Sequence, residues 1–248
     1  MALLEICCGT LDSAITALCA GAHRLELCSA LDEGGLTPSH GLLRAVGRLE
    51  GIQKHVLIRP RGGDFLYTAA ELEVMVNDIA IAKDEGFDGI VVGALCADGS
   101  IDIEACRTLI QAAAGMSVTF HRAFDLCAHR AEALEQIVEL GCQRILTSGG
   151  APTAWEGRAV LAQLVEQAAG RIVIMPAAGV KASNAAEILL LTGAQEIHAS
   201  ARAPLASLMD FVQDGVAMGN PQRDEYVRYE TSFDEVAQIL ACLSSLKS

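Results

Sequence analysis

The chain has 248 residues, 52% of them hydrophobic, and a formal net charge of −13. A strongly acidic surface repels phosphate backbones and anionic lipids, which excludes nucleic acids and membrane surfaces as expected partners. No apolar run reaches the roughly 18 residues of a membrane span, and no leader-like segment precedes the strand-like sequence at Leu3, so we expect a soluble, unexported chain.

Short apolar runs alternate with amphipathic helical stretches along the chain. The strand-like runs span 3–7, 24–28, 55–59, 89–93, 118–123, 144–148, 171–176 and 196–200. The helical stretches span 12–20, 39–49, 70–85, 103–113, 130–140, 153–168, 183–192 and 233–246. This alternation indicates βαβ units and a parallel sheet, and eight units close into a barrel. We therefore predict one (β/α)8 TIM-barrel domain over residues 1–248.

One segment departs from the alternation. Residues 201–232 form a predicted long loop between the last strand and the last helix, with a polar patch at 220–224. Long loops without regular structure are uncommon and usually functional or interface-forming. Three interpretations stay open: the patch caps the barrel mouth, it covers a neighbouring subunit, or it does neither.

The nine cysteines are scattered through the chain, and none has C-x-x-C spacing. An odd, dispersed set does not resemble a secreted disulfide framework or a zinc knuckle. We expect most of them to be reduced thiols that act as small buried hydrophobes, as in a cytoplasmic protein.

Five of the predicted strands carry ionisable residues on one parity. Alternate side chains of a strand point to opposite faces, and the apolar parity has to meet the helices. The ionisable residues predicted to point into the barrel are Glu5, Glu26, Arg59, His121 and His198. Buried ionisable groups are costly unless paired, so a satisfied salt-bridge layer is the alternative to a pocket, above all for the deeply placed Glu5. His198 alone is also compatible with a core histidine.

Loops after the strand ends concentrate guanidinium groups and glycines. Arg59 and Arg61 precede a Gly-Gly pair, and Arg122 and Asp125 follow His121. Further glycines lie in 147–150 and 178–180, and the stretch 200–202 follows the last strand. Barrel phosphate sites are commonly made by the loops after strands seven and eight. Together these features predict an anionic ligand, such as a phosphate or a carboxylate, at the C-terminal end of the barrel.

Cys7 and Cys28 end neighbouring strands on the inward parity, whereas Cys8 projects to the other face. Adjacent strands lie about 4.8 Å apart, so two thiolates placed in this way can hold a soft ion such as Cu(I). The alternative is that both are simply small residues at a tapering barrel mouth.

Several of these stretches resemble the CutC copper-homeostasis family from residue 3 to about residue 230. They are Arg24-Leu-Glu-Leu-Cys28, Glu33-Gly-Gly-Leu-Thr-Pro-Ser39, Ile58-Arg-Pro-Arg-Gly-Gly-Asp64, Val118-Thr-Phe-His-Arg-Ala-Phe-Asp125 and Ile197-His-Ala-Ser-Ala-Arg202. The resemblance implies a cytoplasmic, usually oligomeric TIM barrel linked to copper tolerance, with Cu(I) bound by cysteines that match Cys7 and Cys28. One departure is Pro176-Ala-Ala-Gly179, where relatives often carry a Gly-rich run. The extra Cβ atoms are expected to narrow an anion pocket there.

Three functional hypotheses follow. In the first, the chain binds and handles Cu(I) through Cys7 and Cys28. In the second, it is an enzyme acting on a small anionic or phosphorylated metabolite: Arg59, Arg61 and Arg122 bind the anion, and His121 and Glu26 exchange protons. In the third, it is a scaffold that forms a homo-oligomer through residues 201–232.

Overall fold

The computed structural model describes residues 2–213, 215, 216, 218 and 224–246. Eight parallel strands alternate with eight helices, which confirms the predicted (β/α)8 barrel. The strands are β1 Leu3–Cys8, β2 Arg24–Leu27, β3 Gln53–Leu57, β4 Gly89–Val92, β5 Ser117–Phe120, β6 Arg144–Thr147, β7 Val173–Pro176 and β8 Glu196–Ala199. The helices are α1 Leu11–Cys19, α2 His40–Gly47, α3 Ala69–Asp84, α4 Ile103–Ala112, α5 Arg130–Glu139, α6 Arg158–Ala168, α7 Ala185–Thr192 and α8 Phe233–Ser245.

Backbone hydrogen bonds join the strands in the order β7-β6-β5-β4-β3-β2-β1-β8. Among the described residues no such ladder joins β7 to β8, although the two strands lie side by side. The barrel is therefore nearly closed, with one open seam. The register places Glu5 beside both Arg24 and His198, and Cys7 beside Glu26.

The main hydrophobic core lies between the strands and the helices. Outward-facing strand residues such as Leu4, Ile6 and Val56 are fully buried there, because the buried faces of the helices pack over them. α3 begins at a capping box in which Thr68 and Glu71 satisfy each other's backbone N–H groups. With the apolar parity used outside the barrel, residues of the other parity fill its inside, where charged and polar side chains share the space with apolar ones such as Leu57, Val91 and Met175.

The segment 201–232 is not wholly a loop, in contrast to the sequence prediction. Its ends form two antiparallel strands, β9 Arg202–Ala206 and β10 Val227–Thr231, with Arg202 paired to Thr231. Antiparallel pairing satisfies backbone groups that a loop would leave to solvent. Of the predicted polar patch at 220–224, residues 220–223 lie outside the described part of the chain. In the described residues, no helix is both long enough and apolar enough to span a membrane.

Candidate functional site

A layer of paired charges fills the lower part of the barrel. The fully buried Arg24 donates hydrogen bonds to Glu5 and to Glu196, and Arg144 donates to Glu196 at 2.8 Å. Burial opposes ionisation of Glu5, yet the Arg24 charge and a hydrogen bond with His198 hold the pKa of Glu5 well below its usual value. These pairs form the satisfied salt-bridge layer that the sequence allowed as the alternative to a pocket position for Glu5. Glu5 lies in this layer, below the pocket.

His198 connects this layer to the groups above it. Its Nδ1 lies 2.7 Å from Glu5 Oε1, and its Nε2 lies 3.8 Å from Glu26 Oε2. Burial by itself would lower the pKa of His198, but hydrogen bonds with Cys7 and Glu5 and the nearby carboxylates raise it well above its ordinary value. His198 is therefore held between carboxyl groups that favour its charged form, and it is not an isolated core histidine.

The two inward cysteines are in contact. Cys7 Sγ lies 3.4 Å from Cys28 Sγ, and Cys28 Sγ lies 3.4 Å from Glu26 Oε2. The hydrogen bond between the thiols, helped by His198, lowers the pKa of Cys7 to about 5 against the effect of burial, while the same contact raises the pKa of Cys28. Burial and the charge of Cys7 raise the pKa of Glu26 to about 8. Donor atoms of Cys7, Glu26 and His198 all lie within 4.8 Å of one another, as in a metal site.

His121 stands on another wall of the same cavity. Its Nδ1 accepts a hydrogen bond from the backbone N–H of Ala123 at 3.2 Å, and its ring centroid lies 4.8 Å from that of Phe65. Burial and the charge of Arg59 lower the pKa of His121 to about 3. The ring is neutral, with its proton on Nε2, and that atom has no partner among the described residues. Gly93 makes room for it, because a Cβ there would come within 2.6 Å of the ring.

Arg59 points into the barrel as predicted, but most of its fork is occupied by backbone carbonyls. One Nη atom donates to Glu33 O at 2.8 Å and to Gly35 O at 3.0 Å, and the other donates to Gly63 O at 2.7 Å. The guanidinium also lies over the Phe65 ring, 4.9 Å from its centroid. Arg59 thus links the loops after β2 and β3 by hydrogen bonds and places a positive charge beside the cavity.

The other predicted loop residues divide into two groups. Arg122 lines the cavity and donates to Asp125 at 2.7 Å and to Ser148 Oγ at 3.0 Å. Asp125 itself accepts hydrogen bonds from the loop after β6, through Ser148 and Gly150, and does not line the cavity. Arg61 turns away to pair with Glu71 and Asp64. Asp125 and Arg61 therefore hold loops in place outside the pocket.

The cavity has a volume of about 250 Å³ and opens at the C-terminal ends of the strands. Of the predicted site residues, it is lined by Cys7, Glu26, Cys28, Arg59, His121, Arg122 and His198. Sequence reasoning did not identify Phe65, which flanks both Arg59 and His121, or Arg24 in the layer below. The parity of Arg24 was visible in the sequence, since it precedes Glu26 and Cys28 by two and four positions.

Comparisons with known proteins agree with this architecture. The CutC family model matches residues 2–203. A Chromobacterium violaceum protein named as a CutC family protein is 49% identical over 97% of this chain and 98% of its own length. A Vibrio cholerae protein named in the same way is 46% identical over 99% of this chain and 97% of its own length.

Among solved structures, a Streptococcus agalactiae protein described as a candidate copper homeostasis protein CutC superposes with a TM-score of 0.78 at 36% identity. It covers 81% of this chain and 99% of that protein. A Pyrococcus furiosus thiamine phosphate pyrophosphorylase shares the fold alone, with a TM-score of 0.60 at 14% identity over 100% of this chain and 97% of that protein. The match of the family model and the identity to relatives of nearly equal length establish that the chain belongs to the CutC family.

Proposed function

We propose that this protein binds Cu(I) in the cytoplasm as part of copper homeostasis, with Cys7 and Cys28 as its sulfur ligands. The observation that carries the proposal is the contact between these sulfurs, 3.4 Å apart on the floor of an open cavity. One ion can contact both sulfurs at this separation. The homeostasis role comes from the family and from the name of its Streptococcus agalactiae member.

The donor set suits a soft monovalent ion. Cu(I) prefers thiolate and imidazole ligands, and Cys7 and Cys28 lie within reach of one another beside His198. Ion binding displaces the proton that the two sulfurs share. Glu26 adds an oxygen donor, which Zn²⁺ uses more readily than Cu(I) does, so a preference of the site for Cu(I) has to come from the two sulfurs.

The test is a competition titration of reduced protein with Cu(I) and a chromophoric chelator. We expect one ion per chain, and a loss of affinity of at least about a hundredfold in the Cys7→Ala, Cys28→Ala double variant, which lacks both soft ligands. The matched control replaces two cysteines away from the cavity, Cys19 and Cys96, by alanine and should bind as the parent does. Unchanged affinity in the first double variant would falsify the proposal.

A second candidate function is an enzyme acting on a small anionic metabolite. The observation that favours it is a cavity larger than one ion needs, lined by a neutral His121 whose Nε2–H has no partner in the described part of the chain. That atom is itself buried, so a ligand would have to reach it to accept its hydrogen bond through a carbonyl or hydroxyl oxygen, and Glu26 on the floor would exchange a proton with the same molecule. A metabolite screen by thermal shift tests this function. No hit, with His121→Ala behaving as the parent does, would exclude it.

We further propose that the protein forms a homo-oligomer through the apolar side chains on and after β9. Leu205, Leu208, Met209 and Phe211 are all exposed, and Leu208 is fully so. Large apolar side chains exposed so close together in the chain are typical of a protein interface. Light scattering should give a multiple of 26.0 kDa for the parent and a lower mass for Leu208→Lys, Phe211→Lys. A monomeric parent would exclude the interface.

A further inference from the structure

Backbone strain is concentrated around the mouth of the cavity. In the described ranges, four residues other than glycine adopt left-handed φ: Ala30, Ala169, Ala178 and Ala201. Ala169 ends α6, where this conformation is common. The other three follow β2, β7 and β8, each lining the cavity or lying next to a residue that does. A left-handed alanine costs about 1–2 kcal/mol, and strain of this kind collects at ligand clamps.

The strained backbone after β7 presents donors without acceptors. Ala178 and Gly179 take successive left-handed φ values of 75° and 70°, beside the open seam between β7 and β8. The N–H groups of residues 178–180 donate to no acceptor among the described residues, and all three residues line the cavity. Successive backbone N–H groups in turn conformations form concave sites for anions.

The chain after β8 supplies an unpaired positive charge. Arg202, the first residue of β9, lines the cavity, and its guanidinium makes no hydrogen bond or ion pair with any residue the structure describes. Arg122 lines the same cavity with only part of its fork engaged. Glu26 is the sole carboxylate among the lining residues, and it contacts the sulfurs on the floor. In a chain of net charge −13, this rim is locally positive.

We propose that the rim at the ends of β7 and β8 is a phosphoryl-binding subsite, formed by Arg202 and the backbone N–H groups of residues 178–180. Three N–H groups and a guanidinium fork offer more donors than the two oxygens of a carboxylate use, and they match the three terminal oxygens of a phosphate ester. Barrels commonly bind phosphate with these two loops. This subsite rests on the small-molecule function proposed above in one respect: a ligand must enter the cavity. It requires neither copper binding nor catalytic turnover.

The size of the cavity also limits the part of the ligand that extends beyond the phosphate group. Its volume of about 250 Å³ lies below the roughly 300–1,000 Å³ of pockets for drug-sized molecules. Leu57, Phe65 and Leu146 line the space between rim and floor. The ligand class is therefore a small phosphorylated metabolite, whose body reaches from Arg202 towards His121 and Glu26.

Calorimetry on the reduced, metal-free full chain tests the proposal with four probes: inorganic phosphate, glycerol 3-phosphate, glycerate and glycerol. We expect saturable binding of the two phosphates, weaker binding of glycerate and none of glycerol. Arg202→Gln should raise the Kd of glycerol 3-phosphate by at least about tenfold, because it removes a charge-assisted contact. Arg228→Gln is the matched control, since it removes the same charge from β10 outside the cavity and should change the Kd less than about twofold.

Three results would overturn the proposal: no saturable binding of either phosphate, glycerate binding as tightly as glycerol 3-phosphate, or equal effects of the two arginine substitutions. The copper proposal is judged separately by two crossed measurements. Arg202→Gln should bind Cu(I) as the parent does, and Cys7→Ala, Cys28→Ala should still bind glycerol 3-phosphate. A parent protein that binds Cu(I) but neither phosphate would count against this subsite alone.

Discussion

The neutral, buried ring of His121 makes the stability of the protein depend on pH. Its pKa of about 3 in the folded protein lies below the ordinary value of 6.5 that the unfolded chain has. Between these values the unfolded chain binds one more proton than the folded protein, so stability is fully present above pH 6.5 and falls as the pH drops towards 3. The slope approaches about 1.4 kcal/mol per pH unit for one proton. Between pH 7 and pH 4 this amounts to a loss of about 3 kcal/mol from one side chain.

The assay is urea unfolding at pH 7 and pH 4 for the parent and for His121→Gln, which cannot titrate. We expect the parent to lose about 3 kcal/mol more than the variant does between the two pH values. The quantity compared is the change in the free energy of unfolding between the two pH values. The packing cost of the substitution is the same at both values and therefore cancels. His129→Gln, at an exposed position before α5, is the control for loss of a solvated histidine. Equal losses in the parent and His121→Gln would refute the neutral, buried assignment.

Three further outcomes are expected. The rate at which iodoacetamide alkylates Cys7, measured by mass spectrometry, should change by only about 1.1-fold between pH 6 and pH 8. The rate for a thiol of pKa 9.0 would change by about 90-fold over the same range. A steep rise in the rate for Cys7 would contradict its lowered pKa. Ala178→Gly should raise the free energy of unfolding in urea by about 1 kcal/mol, because glycine adopts left-handed φ without strain, and a decrease would show that Ala178 is unstrained. Arg24→Met should lower that free energy by about 3 kcal/mol by leaving Glu5 without its guanidinium, and a neutral effect would mean that the pair contributes nothing.

The period-two pattern of the strands was enough to predict which polar residues point into the barrel. Glu26, Arg59, His121 and His198 are all buried and line one cavity, as their parity required. The same rule applied to Arg24 would have identified the partner of Glu5. Arg24 opens the second predicted strand on the same parity as Glu26, yet it was not among the residues predicted to point inward.

The features that the sequence did not predict depend on the backbone conformation of the loops that follow the strands. Arg59 and Arg61 are two positions apart in the chain, yet one is fixed by carbonyls inside the barrel and the other pairs with Glu71 on α3. Their directions follow from turns that periodicity does not describe. β9 was also not predicted. It contains Pro204, and proline is tolerated in a strand only at a sheet edge or a bulge.

The charged layer formed by Glu5, Arg24, Arg144 and Glu196 leaves the cavity with a blind end. In the part of the chain that the structure describes, this layer closes the lower end of the cavity, so a ligand that enters through the C-terminal mouth leaves by the same route. An ion on the Cys7–Cys28 floor lies beneath anything bound beside Arg202, and the upper occupant would have to leave before the ion could. The residence time of a bound ion would then be governed by whatever occupies the rim, and not only by the strength of its own ligands.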